Sequence, residues 1–148
     1  EFFGKILLNI EIKSRHTGDA LVWLLRRHFI TCADDWDLVL ISSFKARELM
    51  RVRRRSKRAN LALLHHQNPF AFIAYHRYLK LTAVGFHRLY LHRLALEVAR
   101  RAGIFIYAYT VDRPSAIHRL EHQGVQAIVT NYPDKCIAYI NTHAEMHD

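Results

Sequence analysis

In the opening apolar run KILLNIEIKS, residues 5–14, Glu11 and Lys13 stand two positions apart. A strand turns alternate side chains to opposite faces, so both charges share one face of whatever strand this run forms. An apolar run implies burial, and a buried carboxylate and ammonium are costly unless they pair or hold a ligand. Residue chemistry leaves two readings: a structural ion pair, or an anchor for an anion or a metal. More side chains able to meet a ligand fall where later apolar runs end. Ser42, Ser43 and Phe44 close the second run, and His65 and His66 the third. His87 follows the fourth, Tyr109, Thr110 and Asp112 the fifth, and Thr130, Asn131, Tyr132 and Pro133 the last. The hydroxyls of Ser42, Ser43 and Thr130 also suit helix caps. His65, His66 and His87 read first as satisfied or exposed histidines. No HExxH, CxxC, GxSxG or P-loop pattern is present.

The elements that must position these residues alternate along the chain. Six short β-rich apolar runs cover 5–13, 37–44, 59–66, 80–86, 104–111 and 125–131. Helical spacing lies between them. Residues 17–29 open at a capping-type Thr17, and 68–79 carry Pro69 in a first turn after Asn68. Residues 89–103 put Leu91, Leu94, Ala95 and Val98 on one stripe and stop at Gly103. Residues 112–124 run from Asp112 and Pro114 to Gly124, and 132–143 start at Pro133. Strands that are apolar throughout are covered on both faces and predict a parallel sheet. The fold class is therefore α/β with six βα units: an open doubly wound sheet, or most of an eight-unit barrel. No glycine-rich turn follows a strand, which argues against a dinucleotide-binding sheet. In either architecture ligands meet the carboxyl ends of the strands, so the side chains named above gather at one rim.

The 148 residues suit one domain, spanning 1–148, and 51% apolar residues suffice for a core. No uncharged apolar run of about 18 residues is present, so no spanning helix is predicted. No signal peptide is visible. The chain starts at Glu1 rather than methionine and is expected to be part of something longer. Cys32 and Cys136 lie far apart without metal spacing and suit a reducing cytoplasm. The formal net charge of +9 favours anionic partners. Its densest stretch, RVRRRSKR at 51–58, reads as a solvated helix end. Aromatic residues do not interleave it as single-strand binding requires, so nucleic acid is not the expected partner.

Four segments in order go further: LNIEIK (8–13), ISSF with Leu49 five residues on, AYTVD (108–112) and GVQAIVTNYPD (124–134). Together they resemble the glycerophosphodiester phosphodiesterase family, from residue 5 to about 140. The resemblance implies a TIM barrel that uses a divalent cation, Mg²⁺ or Ca²⁺, to hydrolyse glycerophosphodiesters to glycerol 3-phosphate and an alcohol. Glu11 matches the family's metal-binding glutamate, and Lys13 the neighbouring lysine that neutralises phosphate oxygens. Phe44 matches the aromatic of the family's Ser-Phe motif. Tyr109 stands where tryptophan is usual and keeps an aromatic wall. Asn131 replaces the usual aspartate after Thr130.

The family's two leading strands, with a His-Arg-Gly motif, a Glu-x-Asp pair and a second histidine, have no counterpart here. The resemblance therefore implies strands three to eight of the barrel and an incomplete domain. The acid–base histidines are expected outside the chain, which is expected to be inactive alone. The open barrel edges imply a homo-oligomer or a missing N-terminal segment as partner. The rival function is a non-catalytic relative that binds phosphate esters or nucleic acid through its basic surface.

Overall fold

The computed structural model describes residues 6–144. Six parallel strands pair strictly in chain order: β1 (Leu8–Glu11), β2 (Val39–Ser43), β3 (Asn60–His65), β4 (Ala83–His87), β5 (Phe105–Tyr109) and β6 (Ala127–Ile128). Helices α1 (Gly18–His28), α2 (Ala46–Arg55), α3 (Ala71–Leu79), α4 (Arg93–Arg101), α5 (Ile117–His122) and α6 (Pro133–Ala144) follow the strands in turn. A doubly wound sheet reverses its strand order at a switch point. This sheet has none and curls into a half-barrel of the TIM type. Every predicted strand exists, but all are shorter than their apolar runs. The last shrinks from 125–131 to Ala127–Ile128.

The two sheet faces differ. The outer face, with Val39, Ile41, Leu61, Val84, Phe86 and Ile106, packs into one core with the helices. The inner face carries a smaller cluster of Ala62, Leu64, Ala83 and Tyr107. Both faces are thus covered in the central strands, as predicted, but not in β1. That edge strand alternates half-buried Leu8 and Ile10 with exposed Asn9 and Glu11. Lys13 is exposed as well. The predicted burial of both charges is corrected: among the described residues no strand lies beyond β1 to cover them.

Several helix expectations need adjustment. On the α4 stripe Leu91 and Val98 pack against the core as predicted, but Leu94 is exposed, and the buried residues are Ala95, Leu96 and Ala99. The helix starts at Arg93, and an i, i+3, i+4 face counted from His92 selects those three residues. Thr17 does not cap α1 with its hydroxyl, which donates to the Ser14 carbonyl instead. Buried Glu48 on α2 takes over that task across 30 residues of sequence. Its carboxylate accepts the backbone N–H groups of His16, Thr17 and Gly18 at 2.8, 3.1 and 3.0 Å. Gly103 and Gly124 stop α4 and α5 in left-handed conformations with φ of 67° and 87°, as predicted.

The basic run 51–58 is only partly a solvated helix end. Arg51 and Arg55 pair with Asp19 on α1 at 3.1 and 2.7 Å. Arg53 donates to the carbonyls of Leu79, Ser56, Lys57, Ala59 and Lys80, binding the α3 end to the α2–β3 connection. Asp112, expected at a helix start, instead accepts from the Asn131 backbone and side chain and from the Thr130 hydroxyl. It thereby ties the end of β5 to the turn before α6.

His65, a rim candidate, lies in the outer core between Phe72 and Phe86, with ring centroids 5.8 and 5.3 Å away. Burial pushes its imidazole from 6.5 down to about 4. Folded His65 thus stays neutral while an unfolded histidine takes a proton, so stability is full above pH 6.5 and falls as pH drops towards 4. NMR should find the His65 ring titrating near 4, and denaturant midpoints should fall across that window. His65→Phe should shallow the slope. Replacing Glu48 by glutamine should lower unfolding free energy by about 2 kcal/mol in urea titrations, because one buried and two part-buried N–H groups lose a charged acceptor.

Candidate functional site

The inner face presents its side chains at the carboxyl ends of the strands. Glu11, the last residue of β1, lies opposite Ser42 of β2 in register. No ion pair joins Glu11 to Lys13, which removes the structural-pair reading of the opening run. Ile12 is buried in the outer core and donates its N–H to Ser42, so alternation keeps Lys13 on the Glu11 face. The Lys13 carbonyl accepts from the Lys45 ammonium, joining the first two strand ends. Ser43, facing the other way, does not cap α2, which has no side-chain cap, and instead holds the turn before it. Its hydroxyl donates to the Ile12 carbonyl at 2.8 Å and accepts the Lys45 N–H at 3.0 Å.

Phe44 and Tyr109, predicted from different strands, meet at the rim. Their ring centroids are 5.9 Å apart at an interplanar angle of 87°. Two imidazoles complete the wall. His66 stacks on Phe44 at 4.2 Å and 7°, and His87 lies 5.9 Å from Tyr109, its register partner. The predicted wall residues therefore come together, and His66 and His87, which residue type had favoured as bystanders, join them. The Tyr109 hydroxyl donates to the His65 carbonyl at 2.6 Å. Burial, with smaller contributions from Tyr107 and the Glu11 charge, pushes its phenol up. Tyr109 is thus a fixed neutral wall rather than a proton donor to a ligand.

Below this wall lie two hydroxyls, that of Ser42, a strand-end candidate, and that of Tyr107, not singled out by sequence. Ser42 Oγ and Tyr107 Oη are buried on the inner face and make no hydrogen bond. Burial, chiefly, and the Glu11 charge push the Tyr107 phenol up. Gly85 makes room for this ring: a Cβ there would stand 2.7 Å from both Leu64 and Tyr107. The period-two pattern of FIYAY carries the signal that was missed, since it places Tyr107 on the same face as Tyr109.

At the last strand, Thr130 accepts the Tyr132 N–H at 3.1 Å, a turn that leads into α6 at Pro133. Thr130, Asn131 and Asp112 therefore spend their polar groups on one another. A divalent cation such as Mg²⁺ or Ca²⁺ takes six or more oxygen ligands. Glu11 offers one carboxylate, and among the described residues no three metal-ligating side chains converge. These residues do not by themselves form a metal centre.

Comparison with known proteins identifies the scaffold. The model of the glycerophosphoryl diester phosphodiesterase family matches residues 2–135. The chain is 27% identical over 136 residues to a glycerophosphodiester phosphodiesterase of Caldanaerobacter subterraneus subsp. tengcongensis, covering 88% of this chain and 54% of that protein. An Oleispira antarctica phosphodiesterase, solved in complex with the product sn-glycerol-3-phosphate, superposes with a TM-score of 0.78 at 23% identity, over 90% of this chain and 55% of that one. A glycerophosphodiester phosphodiesterase from Parabacteroides distasonis gives 0.73 at 17% identity, over 92% and 57%. The chain spans about half the length of these relatives. With the half-barrel, the strand-end rim and a family match over nearly its whole length, this chain belongs to the glycerophosphoryl diester phosphodiesterase family.

Proposed function

We propose that this chain is the larger part of a metal-dependent phosphoric diester hydrolase that releases glycerol 3-phosphate and an alcohol from glycerophosphodiesters. Its six strands correspond to strands three to eight of the barrel, and residues 1–148 form one incomplete domain. The observation that carries this reading is the exposed Glu11 carboxylate at the end of an open-edged β1, on the face that also bears the Phe44–Tyr109 wall. Glu11 is one ligand of Mg²⁺ or Ca²⁺, and the other carboxylates come from outside the chain. The Lys13 ammonium neutralises phosphate oxygens as a point charge. Phe44 and Tyr109 bound the pocket and limit water on one side. Proton transfer to the leaving oxygen belongs to histidines outside the chain, so the chain is inactive alone.

The open edges of β1 and β6 support association, since unpaired strand edges pair with further strands. The partner is a second copy or a segment that supplies the first two strands. None of the described helices is long and apolar enough to cross a membrane. Cys32 and Cys136 are both free thiols, which supports a cytoplasmic location.

Purified chain given glycerophosphocholine with Mg²⁺ or Ca²⁺ should release no glycerol 3-phosphate, and turnover would overturn its dependence on added residues. When the barrel is completed, Glu11→Ala should lower turnover by roughly a hundredfold or more, on the scale of losing one electrostatic catalytic contact. If phosphate-ester binding instead ignores Glu11→Ala and simply weakens with salt, the chain is the non-catalytic relative. Sedimentation at micromolar concentration should show a dimer or larger species. A well-folded monomer would contradict pairing through the open edges.

A further inference from the structure

We infer that the cavity between the β4–α4 and β5–α5 connections is a second anion site, built for a phosphate-type dianion and distinct from the Glu11 rim. The cavity holds about 210 Å³ and is lined by three arginines from three segments: Arg88 after β4, Arg113 after β5, and Arg119 on α5. Thr110 and Asp112 supply its other polar groups.

Its orientation separates it from the rim. His87 and Tyr109 face the inner wall, whereas Arg88 and Thr110 are their next residues along the chain. The apolar part of the lining, Val111, Ala116 and Leu120, belongs to the outer core behind β5. The cavity therefore opens on the helix side of the strand ends. Its size suits a small ester or inorganic anion better than an extended ligand.

The arginines there are uncommitted, unlike those that hold neighbouring helices and connections together. Arg51 and Arg55 pair with Asp19, Arg100 and Arg101 with Glu97, and Arg53 with carbonyls. Among the described residues the guanidinium groups of Arg88, Arg113 and Arg119 make no hydrogen bond or ion pair. A backbone bond fixes one of them in place, since the Arg88 N–H donates to the Tyr109 carbonyl at 2.7 Å. The carboxylate in the lining does not neutralise the site. Asp112 already accepts three hydrogen bonds from Thr130 and Asn131, and its single charge leaves an excess of positive charge. Those bonds, led by the Asn131 N–H, keep its pKa low, with Arg88 adding a smaller pull. The neighbouring hollow of about 1110 Å³, which Arg119 borders together with Arg93, Arg100 and Arg101, is broad, and Glu97 there satisfies two of its arginines. Planar guanidinium forks that line one cavity from separate segments suit the oxygens of a phosphate group, which accepts bidentate bonds.

The same chemistry is offered by a free phosphate ester and by the phosphate headgroup of a lipid. Calorimetric titration of the full chain with inorganic phosphate should give saturable binding. Arg113→Gln and Arg119→Gln should each weaken it roughly tenfold or more, the scale of one charge-assisted bond. Both side chains are exposed, so folding should survive, as circular dichroism can verify. Arg54→Gln, at an exposed arginine of α2, should leave this binding unchanged, which separates the site from general surface charge. Failure of phosphate to bind, with phosphatidic acid in phosphatidylcholine vesicles bound and lost in the Arg113 and Arg119 variants, would uphold the site and assign it to a lipid headgroup. Binding of neither probe, or binding that falls with Arg54→Gln as much as with the Arg113 and Arg119 variants, would overturn it.

Discussion

Strictly sequential parallel pairing is the constraint on which the rest of this structure depends. Each strand hydrogen-bonds to the next strand in the chain, from Leu8↔Val39 through to Ala108↔Ile128. A parallel neighbour requires a crossover, and here each crossover carries a helix. The helices pack on one face, so that face becomes the core and the other becomes the wall of a barrel. All strands point the same way, so every carboxyl end reaches the same rim. Glu11, Phe44, His66, His87 and Tyr109 are neighbours for that reason alone, though up to 98 positions separate them in sequence.

Charge is used in two ways. Some ionic groups hold the connections that fix the rim. Glu48 binds the β1–α1 turn to α2, Arg53 collects carbonyls around the α3 end, and Asp112 fastens the last two strand ends together. These groups are partnered by fixed N–H or C=O dipoles, which lets charge sit in partly desolvated places without a large penalty. Others stay free: Glu11 and Lys13 at the edge strand, and the three arginines behind β5. The net charge of +9 is thus not a uniform coat: part of it fastens connections and part stays free.

The inner wall is pre-organised by packing rather than by charge. The Phe44–His66 stack and the T-shaped contacts of Tyr109 orient four rings on four strands, with the Tyr109 hydroxyl and His87 Nδ1 as the polar atoms engaged. Rings held this way lose little further entropy when a ligand arrives. Beneath them, Ser42 and Tyr107 keep unused hydroxyls at a depth where such groups are normally satisfied.

The sequence by itself determined the α/β alternation, the six strands, the parallel sheet and the family, because apolar runs, turn glycines and the Glu-x-Lys and Thr-x-Tyr-Pro-Asp segments are local patterns. It also determined that Phe44 and Tyr109 belong to a wall. What it did not determine are contacts between segments far apart. The capping of α1 by Glu48 rather than Thr17, the Arg53 carbonyl cluster and the Asp112 tie depend on which helix or turn lies alongside, and no local periodicity encodes that. Burial at Glu11 and Lys13 was read wrongly for the same reason: composition describes the strand, whereas exposure is decided by whether another strand lies beside it. Only the tertiary structure placed His65 in the core and His66 in the wall. The two are adjacent in sequence, and the pleat turns them to opposite faces of one sheet.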